Sequence, residues 1–130
     1  MSKTVELRTE LQRLLKTVTT NVHYDIAPST TSFPYLVYEI SELTSNYGKT
    51  LMELEINVFD YGDDTNNVEI IADELQDKLH KNYFINDKIQ FVVYRGLRGK
   101  VEENDKQIIR RRLTFEIQLH ELKGEWVKNV

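Results

Sequence analysis

Between Thr4 and Val18 the apolar residues fall at Val5, Leu7, Leu11, Leu14, Leu15 and Val18, spacings of three and four that gather them on one helical face. Thr4 is the expected N-cap, and Leu7 lies at the margin of the stripe. Thr17, Thr19, Thr20 and Asn21 are poor helix formers, so the chain hands over there to an extended Val22-His23-Tyr24. From Ala27 to Pro34 two prolines and a run of serine and threonine predict a loop. A strand starts at Tyr35, with Leu36, Tyr38 and Ile40 alternating against Tyr35, Val37 and Glu39, and Ser45, Asn46, Tyr47 and Gly48 form its closing turn.

The clearest strand follows. Met52, Leu54, Ile56 and Val58 point one way and Glu53, Glu55 and Asn57 the other, so one side is dry and the other charged. Tyr61 to Thr65 end it and cap a second helix running to about Lys81, with Val68, Ile71, Ala72, Leu75 and Leu79 as its stripe. After a turn at Asn86-Asp87, Ile89, Phe91 and Val93 begin a strand that continues through Arg95, Leu97 and Arg98, bends near Gly96 and Gly99, and enters a hairpin loop at Glu102 to Lys106. The last strand, Ile109 to His120, has Leu113, Phe115, Ile117 and Leu119 on its dry side. Arg111 shares their parity, which brings a charge to the dry side unless a bulge intervenes or it lies past the sheet edge. Residues 123–130 have no period and read as a tail or docking arm.

The expected fold class is therefore α+β: one antiparallel or mixed sheet with two amphipathic helices packed on one face, in the order α-β-β-β-α-β-β. The expected organisation is a single domain over 1–130, with its core at about 4–122.

Composition narrows the functional classes. Seventeen basic and 21 acidic residues give a net charge of −4, which disfavours long-range attraction of the whole molecule to nucleic acid or an anionic bilayer. No cysteine is present, so disulfides, thiolate metal sites and cysteine nucleophiles are excluded. No apolar run approaches the roughly 20 residues that span a bilayer, and the charged start of the chain does not resemble a signal peptide, so no membrane partner is expected.

Candidate chemistry is sparse. His23, His80 and His120 lack the i, i+4 spacing of a helical metal pair, and His80 is expected as a cation at a helix C-terminus. Asp60, Asp63 and Asp64 around Gly62 do not match a calcium loop and read as strand exit and helix cap. The five glycines take neither phosphate-loop nor dinucleotide spacings. The expectation is a protein without catalytic, cofactor-binding or metal residues. Its charge anomaly is basic: Arg95, Arg98, Lys100, Arg110, Arg111 and Arg112 converge if their segments pair, to meet Glu102, Glu103 and Asp105, an acidic neighbour, or phosphate. Seven tyrosines, many at strand or turn positions, suit surfaces where one end is apolar and the other wet.

The leading amphipathic helix, Val22-His23-Tyr24-Asp25, Phe33-Pro34-Tyr35-Leu36-Val37-Tyr38, the strand exit Asn57-Val58-Phe59-Asp60 and the final strand pair together resemble the tail-terminator or tail-completion (head-tail joining) proteins of long-tailed bacteriophages and prophages, over about residues 4–122. The resemblance implies a structural assembly protein that caps the tail tube and joins it to the head connector. Its implied partners are its own copies in a hexameric ring, the tail-tube protein and the connector, with DNA passing through. It implies a location in the host bacterial cytoplasm during assembly and afterwards in the tail or neck of the virion. Such a ring uses two different surfaces of each subunit. The contact residues expected here are Glu53, Glu55 and Asn57 with Arg95, Arg98, Arg110 and Arg112. The alternative is a nucleic-acid-binding module built on the hairpin from Arg95 to Arg112; a small-ligand enzyme of ferredoxin-like shape would need a polar triad that the chain lacks.

Overall fold

The computed structural model describes residues 2–46 and 48–122; the turn assigned to Tyr47 and the tail assigned to 123–130 lie outside them. The first helix, α1 (Lys3–Leu15), starts two residues earlier than expected. Ser2, not Thr4, is the N-cap, its Oγ accepting from the backbone N–H groups of Thr4 at 3.2 Å and Val5 at 3.3 Å. Leu7, placed at the margin by spacing alone, is fully buried with Leu11 and Leu15, whereas Val5 is 39% exposed. The helix stops at Leu15, before the threonine-rich stretch, and the Thr17 hydroxyl donates to the Leu14 carbonyl at 2.6 Å.

Three strands follow, β1 (Val22–Tyr24), β2 (Tyr35–Asn46) and β3 (Lys49–Tyr61), then α2 (Asn66–Leu79) and three more, β4 (Tyr83–Ile85), β5 (Ile89–Val101) and β6 (Ile108–Glu121). At the entry to α2, Asp64 Oδ1 accepts from the Asn66 N–H at 2.9 Å. The buried Asp60 accepts from the Asn67 side chain at 3.1 Å, so strand exit and helix start are tied together. The helix ends two residues before the expected Lys81, which adopts a left-handed φ of 63° and breaks the repeat.

Among the described residues the strands form one sheet in the order β1-β2-β3-β6-β5-β4, with β1 parallel to β2 and the other pairs antiparallel. This corrects the expected α+β layering in the order α-β-β-β-α-β-β. The chain is mostly β, a six-stranded sheet curled into a half-barrel and accompanied by two helices, not a pair of helices laid over one sheet face. Two physical causes separate expectation and outcome. β4 is only three residues long and carries no period of its own. The central strands run 12 to 14 residues, so their right-handed twist accumulates, and slips in register at Glu42/Thr44 and Arg95/Arg98 bend the sheet further.

The dry positions of β3 and β6 are those that alternation marks: Met52, Leu54, Ile56, Val58, Leu113, Phe115, Ile117 and Leu119 are all buried. They form one cluster with Leu7, Leu11 and Leu15 of α1 and Val68, Ala72, Leu75 and Leu79 of α2. Tyr38 ties α1 to β2: its ring is buried and its hydroxyl donates to Gln12 Oε1 at 2.6 Å. Burial, aided by Tyr24 and opposed by the Arg8 charge, pushes its hydroxyl up to about 12.

Tyr38→Phe keeps the ring and deletes this hydrogen bond, and is expected to cost about 1 kcal/mol in denaturant unfolding at unchanged slope. The folded value lies above the ordinary tyrosine value of about 10, so the neutral phenol is favoured by folding. Stability should fall as pH climbs from roughly 10 towards 12, with one tyrosine ionising last in absorbance titration.

Candidate functional site

The register of β3 against β6 brings Glu53 opposite Glu116, Glu55 opposite Thr114, Asn57 opposite Arg112 and Phe59 opposite Arg110. These side chains share the outer side of the sheet, away from the core. Arg112 forms an ion pair with Glu55, its Nε 3.0 Å from Oε1, and the Asn57 amide donates to Glu55 Oε2 at 3.1 Å. Arg110 Nε donates to Asn57 Oδ1 at 2.9 Å while its Nη1 reaches Glu103 Oε1 at 2.9 Å. The candidates Glu55, Asn57, Arg110 and Arg112 thus form one connected network. Glu53 stands outside it; it faces Glu116, and among the described residues neither is in an ion pair.

Arg95 and Arg98 belong elsewhere. The slip in β5 inserts one extra residue between Arg95 and Arg98, so Leu97 swings out to 78% exposure and Arg98 turns to the core side. Gly96 sits at the crossing: a Cβ there would lie 2.7 Å from the carbonyl oxygen and hydroxyl of Thr114, whose hydroxyl accepts the Leu97 N–H. Arg98 reaches α2 and donates to Asp73 Oδ1 at 2.7 Å, Gln76 Oε1 at 3.0 Å and Glu69 Oε1 at 3.3 Å. Burial pulls its guanidinium down, but the hydrogen bonds and charges of Asp73 and Glu69 outweigh this and hold it above its ordinary value. Arg111 lies on the same side, as its parity implies, and donates to Glu69 Oε1 at 3.0 Å. One carboxylate therefore serves two arginines. The basic hairpin and the acidic side chains of α2 thus meet within one chain.

Arg95 is exposed, and its backbone N–H donates to His80 Nδ1 at 3.0 Å. His80 thus anchors the start of the bulge from the end of α2.

The outer face also carries an aromatic group that the sequence reading did not single out as a unit. Tyr35 and Phe59 are register partners, stacked at 4.9 Å. Phe33 lies 5.2 Å from Tyr35 and 5.6 Å from Tyr61, and the Arg110 guanidinium stands 5.4 Å over Phe59. The available signal was the period of two that gives Tyr35 and Phe59 the outer parity of their strands. Beside them Glu39 lies directly opposite Glu55. Burial first, then the charges of Glu55 and Asp25 and a hydrogen bond with Glu55, hold the Glu39 carboxyl above its ordinary value.

The fold is similar to that of a solved chain in the virion of a native gene transfer agent (GTA) particle, with a TM-score of 0.65 and 14% sequence identity over 82% of this chain and 84% of that one. No protein-family model matches the chain, and no curated protein matches it in sequence. At that identity the likeness is one of fold.

Glu69→Gln should loosen both arginines from α2 and cost about 1–2 kcal/mol in denaturant unfolding, less at high salt because the cluster is partly solvated. Glu39→Gln should be neutral or stabilising by a few tenths of a kcal/mol at pH 7, since it removes a like-charge pair. The folded carboxyl is raised, so its ionisation opposes folding as pH rises; the variant's advantage should shrink on acidification, in melts run from pH 7 down through the carboxylate range.

Proposed function

We propose that this chain is a structural protein of a phage-like virion, and within that class a tail terminator that occupies the end of the tail tube and joins it to the head connector. The observation that carries the reading is the likeness in fold to a chain of the GTA virion across more than four fifths of both chains. The Phe33-Pro34-Tyr35 and Val58-Phe59-Asp60 segments add to it, and the structure sets Tyr35 beside Phe59 on one surface. In this reading the protein works by shape and charge, without catalysis, a cofactor or a metal. Copies assemble into a ring, with six as the expected number, in the cytoplasm of the host bacterium, and persist in the tail or neck.

The surfaces on offer suit such a role. The outer face presents an aromatic group next to uncompensated acids, Glu53 and Glu116, which attract cations of a neighbouring protein. Arg95 and the exposed Leu97 stand out from the hairpin, where they meet a partner. The nucleic-acid reading gains no observation of its own: Arg98, Arg110, Arg111 and Arg112 each lie within 3.3 Å of an acidic side chain of the same chain. DNA passing through a ring would meet largely neutralised arginines.

Disruption of the gene in the phage or prophage that carries it is expected to leave heads without tails, together with free tails of uncontrolled length, in electron micrographs of lysates. Joined particles with tails of normal length would overturn the reading.

A further inference from the structure

The two edges of the sheet differ. In β1 the groups that face away from β2 belong to Val22 and Tyr24, because the ladder bonds use Asn21 and Asp25 at its ends and alternate between them. Both outward carbonyls are occupied: Val22 O accepts from Gln12 Nε2 at 3.4 Å and Tyr24 O from the Ile26 N–H at 2.8 Å. That edge offers a further strand no unengaged outward carbonyl.

Among the described residues the β4 edge is open. Val93 N–H donates to Asn82 O and Asn86 N–H to Ile89 O, each at 3.0 Å, so by alternation Phe84 exchanges its bonds with Phe91. The N–H and C=O groups of Tyr83 and Ile85 then point away from the sheet, and among the described residues nothing meets them. Phe84 packs on Phe91 at 5.3 Å, towards the core, while Tyr83 and Ile85 are 56% and 53% exposed. An apolar open edge is a template for another strand.

The residues around β4 say which strand fits. An antiparallel copy centred on Phe84 sets Tyr83 against Ile85 twice, both of them residues whose backbone groups face outward. Two positions further out it sets Lys81 against Asp87. Both are exposed, and among the described residues neither forms an ion pair, so the register matches opposite charges at both ends. Shifting the centre by one residue either way sets Ile85 against Lys81, whose N–H is already given to Val93 O at 2.7 Å, or Tyr83 against Asp87 beyond the strand end.

We propose that β4 is a self-pairing edge through which two copies of this chain join antiparallel about a two-fold axis at Phe84, Tyr83 against Ile85 and Lys81 against Asp87. The contact is the same patch on both copies and closes on itself, so it is independent of a ring, which needs two different surfaces.

The chain has no cysteine, which makes disulfide trapping clean. Hydrogen-bonded antiparallel partners sit about 5.5 Å apart at Cα, within disulfide reach, whereas residue 83 of one copy and residue 83 of the other are too far apart. A mixture of full-length Tyr83→Cys and Ile85→Cys chains, oxidised gently, is expected to yield the mixed covalent dimer well above either like pair. Statistical yields of all three dimers, or none, overturn the proposal. In sedimentation equilibrium, Lys81→Asp or Asp87→Lys alone should weaken association about two- to fivefold, and the double exchange should restore it. Ile85→Pro, which deletes an outward N–H without touching the β5 ladder, should abolish it. Association unchanged by these substitutions sinks the idea, whereas tail assembly that fails or succeeds bears only on the ring reading.

Discussion

Thirteen consecutive positions of β3, Lys49 to Tyr61, pair with β6 without a slip, and the rest of the molecule depends on that unbroken register. Because side chains alternate with a period of two, a shift of β3 by one residue against β6 would turn Leu54 and Ile56 to solvent and bring Glu53 and Glu55 into the core beside Phe115 and Ile117. The irregularities lie one strand further out, at Glu42/Thr44 of β2 and Arg95/Arg98 of β5. The centre holds the register and the flanks bend, which lets a long sheet curl around the apolar stripes of two helices.

The bulge in β5 also decides where charge goes. Without it, Leu97 would share the inward parity of Val93 and Arg98 would point outward. With it, the arginine joins Arg111 at Glu69, and a leucine is left in water. Much of the basic character of the hairpin is thereby neutralised inside the chain, by α2 on the inner side and by Glu55 and Glu103 on the outer. What remains without such pairing among the described residues is acidic at Glu53 and Glu116, with the aromatic group around Tyr35 on the same outer face, and basic at Arg95.

The strongest periodicities were legible. The spacing of Leu7, Leu11 and Leu15 and of Val68, Ala72, Leu75 and Leu79 marks two helices, and the alternation from Met52 to Val58 and from Leu113 to Leu119 marks the paired strands. The rest was set by neighbours distant in sequence. Tyr83-Phe84-Ile85 is a strand because β5 offers it a partner, and three residues between asparagines carry no period to show it. The curl is a sum of small twists along strands of 12 to 14 residues, and no single residue encodes it. For the candidate site, the outer parity of Glu55, Asn57, Arg110 and Arg112 was readable, and their network is real. The inward turn of Arg98 was not readable, because a bulge reverses parity, and Gly96 hints at a bend without giving its direction. Ser2 displaced Thr4 as cap because an N-cap is defined by which N–H groups a hydroxyl reaches, and two neighbouring hydroxyl residues look alike until the backbone is in place.

The capped carbonyls of Val22 and Tyr24 limit how far copies of this sheet can grow. Uncontrolled stacking of β-proteins into fibres needs two adhesive margins on every molecule, so that each arrival exposes a new landing place. Here Gln12 and the Ile26 amide occupy one margin in advance. Edge-to-edge growth from that margin is therefore disfavoured, and among the described residues β4 is the margin where a further strand would find both donors and acceptors free.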